Sequence, residues 1–338
     1  MSKQFVIDEK LQAIKQSIDA LDPVNVVPAA SLDANGKIKD ASSSNAGLMT
    51  PAQLAKIDEL RSRPHNGLYE GRNLKEIFGT FAAMNAALAS GDWSGIQDGD
   101  YWPITVSGTF KDYAANANKT INALFKMEAN INVYMGYGDS GQLADRKDHI
   151  LWVGRDATPM TLQMRSENST WYSEAIANPW LGSHLFQTLN ASDGLRALVQ
   201  ATDIGQYIYT GPNGKGMRSL METKAKGATA TTGWGWQDRG ILFLPTEQEV
   251  WGETVFADSQ YHSKGSPLQW PVFRGSRRHI SKGIGDGGSR YGWWCESSGA
   301  GYATDFCFVY IRGYPYLNYA ASTYICVPLC FITVHPAA

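Results

Sequence analysis

Apolar side chains at Ile7, Leu11, Ile14, Ile18 and Leu21 recur at alternating spacings of four and three, the period of a coiled-coil seam rather than of a strand. A helix this short is marginal alone in water, so its stripe needs partner helices or a docking surface on its own domain. Isoleucine at most seam positions favours three strands over two. Asp22-Pro23 ends the pattern, and the Ala-, Ser-, Asp- and Gly-rich stretch that follows to residue 49, with Asn35-Gly36 as a turn, is too polar to own a core. A second helix opens with Thr50 as cap, Pro51 at the first helical position and Gln53 three residues after the cap. It carries Leu54, Ile57 and Leu60 and stops at Arg63-Pro64. The expected trimerisation residues are Ile7, Leu11, Ile14, Ile18, Leu21, Leu54 and Ile57.

Beyond Pro64 the pattern changes to short β-prone runs bounded by Gly, Asp and Asn: residues 99–106, 129–134, 149–153 and 241–244. Helical spacing returns over residues 75–90 through Ile77, Phe81, Met84 and Leu88, and again over 183–200, while Thr246 and Glu249 form a capping box that opens a short helix toward Trp251. No internal repeat of fixed period occurs. The expected organisation is an attachment and trimerisation helix over 1–22, an extended linker over 23–49, a second stalk helix over 50–64 and an α+β head over 65–338, with few helices and long loops.

Composition narrows the function. The chain has 338 residues with 30 Lys and Arg against 32 Asp and Glu, a net charge of −2, which gives no electrostatic basis for binding nucleic acid or an anionic membrane. The N-terminus lacks the apolar core of a secretory signal and no stretch is long and apolar enough to insert in a membrane, which places assembly in the cytoplasm of the producing cell. Cys295, Cys307, Cys326 and Cys330 have neither CxxC spacing nor a neighbouring His for zinc; they read as buried thiols, with a disulfide between two of them the lesser reading.

Residues 302–324 crowd Tyr302, Asp305, Tyr310, Arg312, Tyr314, Tyr316, Asn318, Tyr319 and Tyr324 among small residues. Phe306, Phe308 and the aliphatics of VPLCFITV suffice for a core, so the tyrosines form either a binding face or packing on a twisted sheet. Tyr, Arg and Asn on loops are the composition of binding surfaces, since Tyr offers large amphipathic area at low entropy cost. These nine residues are the expected receptor-binding set.

The runs LDANGKI and SSSNAGLMTPAQLAKIDEL resemble a segment of bacteriophage tail-fibre and related receptor-binding proteins, where an AGLM turn leads into a short trimeric helix before the head. LPTEQEVWG, WWCESS and VPLCFITV, in that order, resemble the C-type-lectin-like heads of phage tail and gut-bacterial surface proteins, most strongly over 240–334. Variable proteins of diversity-generating retroelements share that superfamily. One departure is Cys295-Glu296, where the family has Leu-Arg after paired tryptophans. The resemblance implies a homotrimeric tail fibre or tail-tip adhesin, in a phage virion or a phage-derived contractile particle. Its N-terminus would join other tail or baseplate proteins and its head would bind a host-cell surface glycan or protein. A bacterial surface adhesin is the alternative, and it would need an export signal.

Enzyme and metal chemistry find little footing, and neither a catalytic residue nor a cofactor is expected. The six histidines are scattered, without HExxH. Glu247 and Glu249 are accounted for by the capping box and the helix dipole. The glycine-rich runs 211–219 and 283–288 lack the Lys-Ser/Thr of a phosphate loop and read as flexible turns. Neither Glu-Pro-Asn nor Gln-Pro-Asp, the calcium tripeptides of lectins, occurs, and Asp286 with Asp305 would be too few ligands. Formylglycine-generating enzymes share the lectin-like architecture and use a terminal cysteine pair. Cys326 and Cys330 do not have that family's spacing, and ICVPLCF offers no electropositive setting for a thiolate.

The stalk reading makes a direct prediction. Ile14→Asp converts the full-length chain from trimer to monomer in size-exclusion chromatography with light scattering; an unchanged trimer would show that another part of the chain holds the assembly.

Overall fold

A long hairpin follows two short helices. In β1 (Tyr101–Asp112) Trp102, Ile104, Val106 and Phe110 alternate inward, and the strand pairs antiparallel with β2 (Ala117–Ile131) from Tyr101↔Glu128 to Asp112↔Ala117. The computed structural model describes residues 70–335 except 138–142, 144–147, 169–177, 225–232, 263–267, 275–279 and 303. The segments expected as stalk helices, with Ile7, Leu11, Ile14, Ile18, Leu21, Leu54 and Ile57, lie outside the described residues.

Strand β3 (His149–Ala157) pairs with β2, and the last strand of the chain, β9 (Pro328–Val334), pairs with β3, giving a four-stranded antiparallel sheet in the order β1-β2-β3-β9. Pro103 is tolerated because β1 is an edge. β3 and β9 are buried on both faces: Ile150, Trp152, Leu329 and Phe331 enter one hydrophobic cluster, while Leu151, Val153, Cys330 and Ile332 enter another. A three-stranded antiparallel sheet, β6 (Trp293–Ser298), β7 (Asp305–Val309) and β8 (Pro315–Tyr319), divides the same two clusters. Adjacent Trp293 and Trp294 point to opposite sides, each with its indole N–H satisfied, by Ile280 O at 2.7 Å and Leu162 O at 2.8 Å. A separate hairpin joins β4 (Arg218–Thr223) to β5 (Gly233–Asp238).

The helices are shorter than their periodicity predicts. Residues 75–90 split into α1 (Leu74–Phe78) and α2 (Phe81–Ala89) because Gly79, at φ 74°, ends the first and Thr80 caps the second by accepting from Ala83 N. Ile77 is thereby left exposed, while Phe81, Met84 and Leu88 are buried. Residues 183–200 likewise split into α3 (His184–Asn190), capped by Ser183, and α4 (Leu195–Gln200). Residues 241–244, expected as a strand, join no ladder: the chain bends at Ile241 and Leu242 and makes a single bridge, Phe243↔Cys330. Residues 129–134 are half strand: β2 stops at Ile131, and Asn132 turns the chain at φ 52°. The capping box at α5 (Glu247–Trp251) forms as read, closed by Gly252 in the left-handed conformation.

These pieces meet at Arg239, which is 1% exposed. It donates to Glu249 through Nη1 at 2.9 Å and Nη2 at 2.6 Å, to Glu296 through Nε at 2.7 Å, and to Leu244 O at 2.6 Å. Tyr134 donates its hydroxyl to Glu249 at 2.7 Å and accepts from Trp270 Nε1 at 3.1 Å, while Phe243 lies against the guanidinium, 4.6 Å from ring centre to Cζ. One cation faces two carboxylates. Burial pushes Glu296 up to about 8 against the pull of Arg239, with Glu249 adding to the rise, so Glu296 carries a proton well above the usual carboxylate range.

Folding therefore takes up about one proton at Glu296 between its unfolded and folded values. From pH 6.5 to about 8 the unfolding free energy falls as pH rises, because the native state keeps a proton the unfolded chain has lost. Below 6.5 His335, held by burial and the neighbouring His149 down to about 4, opposes this, since unfolding then protonates it. Urea titrations followed by tryptophan fluorescence across pH 6.5–8 show this fall in wild type and a shallower one in Glu296→Gln; an equal slope in both would reject the assignment.

Candidate functional site

The tyrosine-rich segment runs from the β6–β7 turn to the loop before β9. β8 is an edge strand, so its outer side has no partner strand among the described residues. The chain reverses between β7 and β8 through a tight turn: Gly313 N–H donates to Tyr310 O at 2.7 Å, and Tyr310 N–H to Tyr314 O at 3.0 Å. Gly313 holds φ 82°, where a Cβ is strained, and its carbonyl accepts from Trp251 Nε1 at 3.3 Å, which ties the turn to α5.

This turn assembles an aromatic cluster. Tyr310 and Tyr314 stack with centroids 4.9 Å apart and planes inclined by 27°; Tyr316 stands edge-on to Phe308 at 5.9 Å and to Phe256 at 6.2 Å. Tyr310 is half-buried, whereas Tyr314 is 44% and Tyr316 54% exposed, and Arg312 is exposed at the tip of the turn.

The rest of the expected set is divided. Register places Tyr316 opposite Phe308 and Asn318 opposite Phe306, but Tyr319 opposite Asp305, so alternation sends Tyr319 to the other face of the sheet. Tyr302, at 55%, sits in the β6–β7 turn, and Tyr324, at 75%, in the loop before β9. The side chains of Asp305 and Asn318 are both occupied within the chain: Asp305 accepts from Thr304 Oγ1 at 2.8 Å, and Asn318 accepts from Tyr319 N at 2.8 Å while donating to Ser322 Oγ at 3.2 Å. Tyr310, Tyr314 and Tyr316 with the Arg312 turn are thus one cluster, and Tyr302, Tyr319 and Tyr324 are exposed outside it, Tyr319 on the opposite face of the sheet.

Glu296 is buried against Arg239 rather than presented to solvent. Glu249 caps its helix and grips the same arginine, a second role that no local pattern signals. Glu247 accepts three backbone N–H groups, from Val255, Phe256 and Ala257, at 2.8–2.9 Å, and so organises the loop that carries Phe256 toward Tyr316.

The glycine-rich run 283–288, read as a flexible turn, is a hairpin closed by the Gly283↔Arg290 bridge and pinned to the end of β3, where Ala157 N–H donates to Gly283 O and Gly285 N–H to Ala157 O. At Gly288 an added Cβ would come 2.0 Å from Ile284 O, so only glycine fits. A cleft of about 250 Å³ opens beside it, lined by Lys126, Arg155, Asp156, Asp286 and Arg290 among others. Nothing in the sequence pairs residues 126 and 155 with 290; the pairing of β2 with β3 and the Ala157↔Ile284 and Gly283↔Arg290 bridges do. The run 211–219 is a turn, with Gly214 N–H donating to Gly211 O.

Among the described residues no group of three or more His, Cys, Asp or Glu is placed to hold a metal ion, and no helix is long and apolar enough to cross a membrane. All four cysteines are free and buried. Burial pushes Cys326 and Cys330 up to about 12 and raises Cys295 and Cys307 well above their ordinary value, which leaves no thiolate nucleophile at neutral pH. An aromatic-disulfide thiol reagent such as DTNB accordingly labels none of the four in the native protein within minutes and all four in denaturant; rapid labelling of a native cysteine would contradict this burial.

No family model, curated protein or solved structure matches this chain.

Proposed function

We propose that this chain is a receptor-binding adhesin: a homotrimeric tail-fibre or tail-tip protein whose head, of C-type-lectin-like architecture, recognises a host-cell surface molecule. The observation that carries the reading is the exposure of Tyr302, Tyr314, Tyr316, Tyr319 and Tyr324, at 44–75%, within one short segment at a sheet edge. The sheets bury most of their tryptophans and all of their phenylalanines, yet these five phenol rings stay exposed. Clustered amphipathic rings on turns are the anchor residues of binding surfaces, and they stack on sugar rings or pack on protein alike.

Arg312, at the turn tip, supplies a charged donor beside the stacked pair. Asp305 and Asn318 act in this reading by holding the turns that present the rings. Three heads on one stalk turn weak single contacts into avidity where receptors are dense. Recognition rather than turnover is the mechanism, in keeping with thiols that stay protonated and carboxylates engaged inside the fold.

The test is binding of the full-length chain to candidate host cells. Tyr314→Ala with Tyr316→Ala lowers cell binding by roughly tenfold or more, and Tyr319→Ala with Tyr324→Ala lowers it without touching the packed cluster. Both leave the melting temperature within a few degrees. Periodate treatment of the cells abolishes binding to a glycan, and protease treatment abolishes binding to a protein. Undiminished binding by both double variants would overturn the reading.

A further inference from the structure

We infer that the cleft beside the Gly283–Arg290 hairpin binds a single acidic sugar residue, one ring bearing a carboxylate or phosphate. This rests on the adhesin reading for the source of the ligand, and on the cleft itself for its chemistry.

The walls are rigid and differ in what they have left to offer. Arg155 is fixed three ways: Nε donates to buried Glu128 at 2.8 Å, Nη2 donates to Glu70 O at 2.8 Å, and the guanidinium lies over the Tyr101 ring at 4.8 Å. This leaves its Nη1 without a hydrogen-bond partner among the described residues. Beneath it, buried Lys282 donates Nζ to Gly154 O at 2.5 Å and to Arg155 O at 3.3 Å, holding the backbone that carries the guanidinium. Arg290, at the foot of the hairpin, is exposed and has neither hydrogen-bond nor ion-pair partner among the described residues. The acidic side is partly engaged: Asp286 pairs with Lys126 at 3.0 Å and Asp156 accepts from Gly283 N at 3.2 Å, and Glu70 also lines the cleft. Arg290 and Nη1 of Arg155 are the donors this leaves for an anion. An arginine fork matches a carboxylate or phosphate.

The remaining lone pairs of Asp156 and Asp286 accept from hydroxyls, so the anion fits best on a polyhydroxylated ring. At about 250 Å³ the cleft falls below the range for drug-sized ligands and admits one ring rather than a chain. It also communicates with the tyrosine cluster: Ser281, on its wall, donates its hydroxyl to Ile311 O at 2.6 Å, inside the Tyr310–Tyr314 turn. A glycan whose acidic residue enters the cleft would have its neighbouring rings within the reach of that turn.

Saturation-transfer NMR and calorimetry on the full-length protein test this with N-acetylneuraminate, galacturonate, glucose 6-phosphate, galactose and inorganic phosphate. The acidic sugars bind at roughly millimolar strength, as expected of one small ring. Galactose and phosphate bind at least tenfold more weakly, and comparison of the carboxylate and phosphate sugars tells which acid is preferred. Arg290→Ala weakens binding of the acidic sugars roughly tenfold with an unchanged melting temperature, since no interaction within the fold is lost, and Arg290→Lys restores part of it. Absence of acidic-sugar binding, equal binding of galactose or of phosphate alone, or an Arg290→Ala variant that binds as wild type would each overturn the inference. Its failure leaves the tyrosine variants' loss of cell binding untouched. Conversely, acidic-sugar binding by a protein that fails to bind cells would retain the cleft and reject the adhesin reading.

Discussion

The buried guanidinium of Arg239 is the constraint around which the head is organised. It follows β5 directly, takes both oxygens of Glu249 from α5 and one from Glu296 on β6, and reaches the β2–β3 connection through Tyr134. Four stretches far apart in sequence are thus brought to one charge. Such a cluster is costly to desolvate, and removing one partner from a buried pair costs about 3–5 kcal/mol. Its contribution here is orientation. A planar five-donor fork admits few arrangements of its acceptors, so α5, which carries Trp251 to the carbonyl of Gly313, is set at a defined place against the small sheet.

Around that point both sheets act as partitions rather than as lids. β3, β9, β6 and β7 bury both faces, and the consecutive tryptophans 293 and 294 anchor in opposite clusters. β9 lies beside β3, and its residues Leu329, Cys330, Phe331 and Ile332 belong to the core. The two-sided packing stops at the edge of β8, which has no partner strand among the described residues, at the turns on either side of it, and at the hairpin pinned at the end of β3. The exposed tyrosines and Arg290 are found there.

The two candidate surfaces differ in physical character. The Tyr310–Tyr314–Tyr316 cluster is apolar and convex, ordered by ring stacking and a glycine turn. The cleft is polar and concave, ordered by charge pairs and by a glycine that sterics demand. They are linked by the hydrogen bond from Ser281 to Ile311. A surface that combines stacking rings with an arginine-lined socket is suited to a saccharide carrying both apolar faces and a charge.

The α+β class, the strand character of the head, the capping box at Thr246, the burial of the four thiols and the exposure of the tyrosines at 314, 316, 319 and 324 were all legible in the sequence, because each depends on neighbours within a few residues or on a supply of apolar side chains that exceeds what the core can hold. Helix lengths were not: the periodicity through Ile77 continues past Gly79, and only the backbone shows that glycine and the Thr80 cap prevail over it. Tertiary structure alone decided that Glu249 and Glu296 share Arg239, that Tyr316 and Tyr319 face opposite ways, and that Arg155 and Arg290 border one cleft. Those outcomes depend on strand register, for which a one-residue shift reverses every side chain, and on contacts between separate elements, from Arg239–Glu249 to Arg155 and Arg290, for which no local pattern carries the information.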